Sequence, residues 1–548
     1  MGSPLELVRD GRLWAQSCRR LTGRALVAGG IGLVLLLGGC NLLDSGQSAA
    51  AVARSDAAPS ANAMRVVFTE AFTDIQTYYL DPVKIGTLAL DGLAGIKQLD
   101  DKVVVDRIDA KVRLVVKDTV AKVYDAPEDG DVRGWAKLAT TIVGDARDQS
   151  AKLKDIDAEQ FYRVVLQSAL HDLDPFSRYA GHDLAQDNRA GRDGFGGIGV
   201  RLSFDGGQVK ITDVQSDMPA GRAGLKAGDR IAKIDGRSLD GMAEHAVVSM
   251  LRGPVGADLG ITYARGPDSK TVHLHRAYIV ESTVAYRRQP GRIAYFKITG
   301  FNRRTANGLA DAWTRARSDM GGSIRGVVLD LRNNPGGLLD QGISVADMFL
   351  PGGRILTTKG RHPESVQHFD ATGDDMTGGV PMAVLINGGS ASASEIVAAA
   401  LQDLGRAVVV GSGSYGKGTV QTILPLPNQG ELTLTWARFF APSGYAIHRL
   451  GVMPTVCTAS KEIDPQHELD DLRAGRFDPV KAIAARRGAG SLSETAQLAL
   501  AATCPQVTRA ATGDKDVDLN VALRVLRDPD LMQRSIRGMN LAAVSKPL

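Results

Sequence analysis

The sequence predicts a multidomain α/β protein: a mixed α/β core of repeated strand–loop–helix units, a β-rich domain ahead of it, and helical N- and C-terminal regions. Three observations carry this expectation. The length, 548 residues, admits three to four domains at about 150 residues each. Between residues 293 and 404, short apolar runs alternate three times with glycine-bearing loops and helical periodicity. Ahead of them, residues 197–275 string alternating segments between glycine turns.

Composition excludes several classes. Hydrophobic residues at 44% and charged residues at 23% match a folded globular chain, so wholesale disorder is excluded. The 62 glycines follow no Gly-X-Y period, which excludes collagen. Sixty-five Lys+Arg against 61 Asp+Glu leave a net charge of +4, evenly spread, which argues against a nucleic-acid partner. Four cysteines are too few for a disulfide scaffold or a zinc cluster.

The N-terminus reads as a secretory signal over 1–39. Arg19, Arg20 and Arg24 precede an apolar run at 25–37, too short for a spanning helix, and small residues follow. Leu37-Gly-Gly-Cys40 resembles a bacterial lipobox, which implies lipidation of Cys40 as the first mature residue. The competing reading is a plain membrane anchor with an incidental cysteine. Residues 40–63, rich in Ala and Ser, read as a flexible tether on that lipid anchor. This places the chain in the bacterial cell envelope, on the periplasmic side, anchored to a membrane. Cys457 and Cys504 then remain in the mature domains; a bridge and two separate thiols are both open.

Residues 64–190 form a mainly helical region with a long insertion. Val67, Phe68, Phe72 and Ile75 predict a helix over 64–80. Residues 102–124 fit strands or a charged helix equally. Helical texture returns over 136–173 and stops at Asp174-Pro175.

Gly194-Phe-Gly-Gly-Ile-Gly199 matches the dinucleotide pattern G-x-G-x-x-G, but an alternating strand follows where a phosphate-binding helix is required. Taken with the hairpin at 205–207, the strand at 231–234, a helix over 242–251 and strands near 261 and 272, residues 191–277 strongly resemble a PDZ domain. The resemblance implies capture of a peptide C-terminus: an added strand, with the carboxylate on the glycine loop. Ile198, Gly199, Val200 and Leu202 would line the groove, with Val247 and Leu251 opposite on the helix.

Residues 278–457 carry the candidate chemistry. A buried strand at 327–331 leads into Arg332-Asn-Asn-Pro-Gly-Gly337 and a helix, and a strand at 383–386 leads into Asn387-Gly-Gly-Ser-Ala-Ser-Ala-Ser-Glu395 and a helix over 396–404. A serine on a sharp strand-to-helix turn is a natural nucleophile position. The competing reading of Ser392 is a capping box, S-x-x-E, with Glu395. Downstream, Gly411-Ser-Gly-Ser-Tyr-Gly-Lys-Gly-Thr419 mimics a P-loop but has glycine where the hydroxyl belongs and runs into a β-rich segment, so ATP is rejected. It leaves Lys417 among small and apolar groups, where burial disfavours the ammonium and suits a general base.

Asp330-Leu-Arg-Asn-Asn-Pro-Gly-Gly337, Gly389-Ser-Ala-Ser-Ala-Ser-Glu-Ile396, Tyr415-Gly-Lys-Gly-Thr-Val-Gln421, Ala441-Pro-Ser-Gly-Tyr445 and Leu173-Asp-Pro-Phe-Ser-Arg-Tyr179, together with the PDZ block, resemble the carboxyl-terminal processing (tail-specific) proteases. The resemblance covers residues 64–454 and implies a serine peptidase core. Its Ser/Lys dyad falls on Ser392 and Lys417, with Gln421 in support. The family spacing singles out Ser392 between Ser390 and Ser394. Gln421 lies about 13 Å along an extended strand from Lys417, so it requires a bend at Gly418 or acts less directly. Oxyanion donors are expected from Gly336 or Gly337 and from Ala393.

The expected function is a serine endopeptidase that grips protein or peptide substrates by their free C-termini, with room for an adaptor protein. A catalytically inactive PDZ scaffold is the alternative. No cofactor is expected and no metal: His273 and His275 share a strand face, but no third ligand is identifiable. Asp330 is expected to be structural. The mainly helical tail, 458–548, and the insertion at 87–157 fall outside the family pattern.

Overall fold

Apolar spacing decides the first element. The helix Ala61–Tyr78 buries Met64, Val67, Phe68, Ala71, Phe72 and Ile75 along one stripe, and Ser60 Oγ caps it by accepting from the Ala63 N–H. The computed structural model describes residues 60–459, 465–474, 488, 492–508 and 516–536. Cys40, the signal and residues 40–59 of the tether lie outside the described residues. Residues 60–63, expected in the tether, instead form the cap and first turn of the helix Ala61–Tyr78, because Ser60 supplies an N-cap.

Residues 102–125, where strand and charged helix were both open, form a three-stranded antiparallel sheet: Val103–Ile108, Lys111–Val116 and Thr119–Asp125. The N-terminal region is therefore less helical than expected. Positive φ at Asp109, Lys117 and Asp118 makes the two hairpin turns, a signal that periodicity does not carry. The helical texture at 136–173 is two helices, Val132–Gln149 and Ala158–His171, each capped by an aspartate, Asp131 and Asp157. Together these elements pack on Leu426, Leu432 and Leu434, so the N-terminal region sits on the peptidase core.

The PDZ sheet runs in spatial order Asp268–His275, Asp258–Arg265, Arg230–Ile234, Gln208–Val214, Val200–Asp205. Val200–Asp205 is an edge strand whose outer side faces the helix Glu244–Leu251 across a groove of about 320 Å³. Chain entry and exit are clasped by Phe195–Gly197 pairing with Ala277–Ile279.

The core sheet has six strands in the order Val284–Gln289, Ile293–Ile298, Gly326–Asp330, Met382–Ile386, Val408–Gly411, Val456–Cys457. The first pair is antiparallel and the rest are parallel. Parallel strands are buried on both faces, which explains near-continuous runs such as Val327-Val328-Leu329. Alternate residues point to opposite sides. Phe296, Val327, Leu329, Val384 and Val409 meet the helices Thr305–Asp319, Leu339–Asp347 and Ala393–Asp403. Tyr295, Val328, Leu385 and Val410 meet Val521, Ala522 and Val525 of the helix Val517–Arg527. The C-terminal tail thus supplies the cover for the second face.

A second sheet, Gln367–Asp370, Arg354–Lys359, Glu431–Phe440, Thr419–Pro425, adds Arg178–Ala180 against Glu431 to Thr433. Cys457 and Cys504 form a disulfide, with Cα atoms 6.0 Å apart, which settles the choice between a bridge and two free thiols.

Candidate active site

Three loops leave the carboxyl ends of three adjacent parallel strands, the place where open α/β sheets bind ligands. Residues 331–338 follow Gly326–Asp330, residues 387–392 follow Met382–Ile386, and residues 412–418 follow Val408–Gly411. They line one cavity of about 370 Å³ with Gly336, Gly337, Ser392, Ala393, Lys417 and Gln421 in its wall.

The structure separates the three serines. Ser390 Oγ is buried and donates to the Leu331 carbonyl (2.9 Å), and Ser394 Oγ is buried and donates to the Asn334 carbonyl (2.8 Å). Ser392 alone of the three lines the cavity. It sits at φ 55°, ψ −116°, a conformation that L side chains rarely adopt and that the surroundings must enforce. Gly336 belongs to those surroundings: a Cβ there would stand 2.8 Å from Ser392 Cβ and 2.8 Å from the Ala391 carbonyl oxygen.

The oxyanion expectation needs a correction. The Gly336 N–H donates to Asn334 Oδ1 (2.9 Å), so it is committed. Among the described residues no hydrogen bond takes the N–H of Gly337 or Ala393, and both line the cavity.

Glu395, in sequence only half of a capping box, has a larger place in the structure. It is fully buried, and its carboxylate accepts from Ser392 N–H (2.8 Å), Ser414 Oγ (2.5 Å), Gly416 N–H (2.7 Å) and Lys417 N–H (2.9 Å). Burial pushes its carboxyl up to about 7, against the pull of those four donors. A glutamate three residues after a turn serine is the one sequence signal that pointed to it.

Lys417 is half-buried, and its Nζ stands 5.0 Å from the centre of the Phe176 ring. Burial first, and then the charge of Arg178, hold its ammonium below the ordinary lysine range, opposed by Glu395 and Asp174. Phe176 and Arg178 come from the N-terminal region. Their loop is docked by Asp174 Oδ1, which accepts from Thr435 Oγ1 (2.9 Å), and by Ser177 Oγ, which accepts from the Thr435 N–H (3.0 Å). Gln421 lines the cavity, yet its side-chain amide donates to Thr419 Oγ1 (2.9 Å) and Thr435 Oγ1 (3.2 Å) rather than meeting Lys417. A bulge at Val420/Gln421 supplies a bend, two residues beyond the expected Gly418.

Beneath the loop 331–338, Arg332 is buried among carboxylates. It donates to Asp330 (2.7 Å), Asp516 (2.6 and 2.9 Å) and Asp518 (3.0 Å). Lys297 Nζ bonds Asp330 (3.0 Å) and the Arg332 carbonyl. Burial works against the Asp330 charge, but Arg332 and Lys297 outweigh it and hold the carboxyl below its usual range. Asp330 is structural in this cluster, and the tail residues Asp516 and Asp518 complete it.

In the PDZ groove, Gly199 has φ +79°, and a Cβ there would stand 2.3 Å from Met218 Cβ. Among the described residues no hydrogen bond takes the N–H of Ile198 or Gly199. Val200, Leu202 and Leu251 line the groove, as does the Ile198 backbone position, although the Ile198 side chain is core. Val247 does not: it is 0% exposed in the PDZ core, and Val248, one residue on, faces the groove. Helical rotation of about 100° per residue makes a single-position error decisive. Arg252, also missed, closes the glycine-loop end, and its Nε is buried without a hydrogen-bond partner.

Residues 292–458 match Peptidase family S41, and residues 186–264 match the PDZ domain family. A carboxy-terminal-processing protease of Bartonella bacilliformis is 42% identical over 304 residues, 55% of this chain and 70% of that one. The chain belongs to the carboxy-terminal-processing proteases of peptidase family S41. A probable CtpA-like serine protease of Staphylococcus aureus is 33% identical over 307 residues, 55% of this chain and 61% of that one. Among solved structures, a photosystem II D1 C-terminal processing protease aligns with 74% of this chain and 94% of its own at 25% identity, with a TM-score of 0.37. This S41 protease is a serine-type peptidase that carries a PDZ domain.

Proposed function

We propose that this S41 protease is an endopeptidase of the bacterial cell envelope that captures free C-termini in its PDZ groove and cleaves them with Ser392 and Lys417. The observation that carries the reading is one cavity holding a strained serine, a half-buried lysine and two uncommitted backbone donors. Neutral Lys417 Nζ takes the Ser392 Oγ proton as Oγ attacks the scissile carbonyl carbon. The N–H groups of Gly337 and Ala393 receive the oxyanion. The C–N bond then breaks, the ammonium returns its proton to the leaving amine, and water hydrolyses the acyl-enzyme with Lys417 again as base. Gln421, its amide nitrogen tied to Thr419 and Thr435, offers its oxygen to the ammonium formed on proton transfer.

Substrate capture rests on the open edge of Val200–Asp205 and the free donors of Ile198 and Gly199. Periplasmic location and lipidation at Cys40 are supported by the basic, apolar and small-residue succession before that cysteine. Turnover of an unfolded protein with a free apolar C-terminus by wild type, against none by Ser392→Ala or Lys417→Ala, tests the reading. A residual rate above a few per cent in either variant refutes the dyad.

A further inference from the structure

The loop 412–416 reaches from the core sheet to Lys417 without secondary structure of its own, and a segment of the C-terminal tail lies along it. Gln506 Nε2 donates to the carbonyls of Ser414 (2.7 Å) and Tyr415 (3.1 Å). The Val507 N–H donates to Ser412 Oγ (3.2 Å), and the Val507 carbonyl accepts from Ser412 Oγ (3.0 Å). That same carbonyl accepts from the Gly388 N–H (3.2 Å), at the start of the Ser392 loop. Two tail residues, Gln506 and Val507, therefore bond the lysine loop, and Val507 also bonds the loop of Ser392. Cys504 bonds this segment to Cys457, whose strand pairs Gly411, the last residue before the lysine loop. Residues 504–507 lie beyond the matched S41 region, which ends at 458.

We propose that residues 504–507, pinned through Cys457–Cys504, are a positioning strap for the catalytic lysine, with Gln506 the positioning residue that holds the Ser414 and Tyr415 carbonyls. Glu395 fixes the N–H groups of Gly416 and Lys417, but it leaves those two carbonyls unheld. The N–H groups of Ser414 and Tyr415 are held by the Val452 and Ser390 carbonyls, but among the described residues only Gln506 donates to the Ser414 and Tyr415 carbonyls. Without it those peptide units can tilt, and a displacement of about 1 Å at a reacting group is enough to slow chemistry strongly. The disulfide shortens the tether to two residues, so Gln506 stays close to its carbonyls instead of giving them up to water.

The inference rests on Lys417 as general base, and the test separates the two. The measurement is kcat, KM and the pH profile of kcat/KM on a short unstructured peptide, for wild type, Gln506→Ala, the double variant Cys457→Ser/Cys504→Ser, and Lys417→Ala. Wild type is also assayed after reduction by a dithiol: the sulfur–sulfur bond takes up two electrons and two protons to give two thiols, and the reagent closes to its own disulfide. Gln506 is exposed, so its truncation removes two hydrogen bonds and no core packing. The expected result is a fall in kcat of about 10-fold with KM within about two-fold. The acidic limb of the profile should also move to higher pH, because a loosened loop rehydrates the Lys417 amine. Reduced wild type and the cysteine variant should behave like Gln506→Ala. A merely structural strap scales kcat with the folded fraction at every pH and leaves the limb in place. An unmoved limb in both variants therefore overturns the proposal, whether or not kcat falls. Retained turnover in Lys417→Ala overturns the dyad, and the strap's role with it.

Discussion

Ser392 and Lys417 donate their backbone N–H groups to the same oxygen, Oε2 of Glu395, at 2.8 and 2.9 Å. The two loops leave different strands, yet one buried carboxylate joins them. Its second oxygen takes Ser414 and Gly416, so four donors converge on one side chain.

Replacing Glu395 with Gln keeps the volume but presents an NH2 group to donors that need an acceptor. We expect kcat to fall about 100-fold with a smaller change in KM, because loop placement rather than substrate contact is lost. Steady-state kinetics beside a circular-dichroism melt checks this; wild-type kcat in a folded Glu395→Gln protein contradicts it.

With Lys417 as the proposed base, the pH profile should rise toward alkaline pH, since only a neutral amine accepts the serine proton. Burial and Arg178 both hold Lys417 below its ordinary range, so the acidic limb should lie below that of a free lysine. Arg178→Gln removes the second cause and is expected to move the limb to higher pH. A limb that stays put, measured as kcat/KM from acid to alkaline buffer, shows that Arg178 does not act on Lys417.

Carboxylate capture should show in the substrate rather than the chemistry. Amidating the C-terminus of a tailed protein removes charge-assisted hydrogen bonds worth about 1.5–3 kcal/mol each. Gly199→Val puts a side chain against Met218, at a positive φ that valine does not tolerate. Both changes should lower kcat/KM for the tailed protein and spare a short peptide that enters the cleft directly. Equal cleavage of free and amidated tails by wild type would assign the groove another task.

Arg332 offers a stability test. Arg332→Leu leaves Asp330, Asp516 and Asp518 buried around a missing cation, at a cost of about 3–5 kcal/mol. The melting temperature should drop by several degrees, with the tail helix Val517–Arg527 lost first, as read by hydrogen exchange. Exchange in that helix at the wild-type rate argues that Leu519, Val521 and Val525 hold it without the ion cluster.

Much of the protein is determined by local sequence. Turn glycines, apolar runs and motif order determine the PDZ block and the strand–loop–helix core, because strand, turn and cap preferences act over a few residues. The helix stripe from Met64 to Ile75 and the rejection of both nucleotide motifs needed nothing more. Tertiary structure decided what depends on distance. Whether Cys457 met Cys504, which of Gly336 and Gly337 kept a free N–H, and whether Val247 or Val248 faced the groove all turn on partners far along the chain or on one helical step. The tail is the clearest case. Its residues read only as a helix of no assigned role. A parallel sheet with two apolar faces needs two covers, so Val521 and Val525 close the second face, Asp516 meets Arg332, and Gln506 reaches the lysine loop. Such pairings are set by long-range packing, and a local pattern carries no record of them.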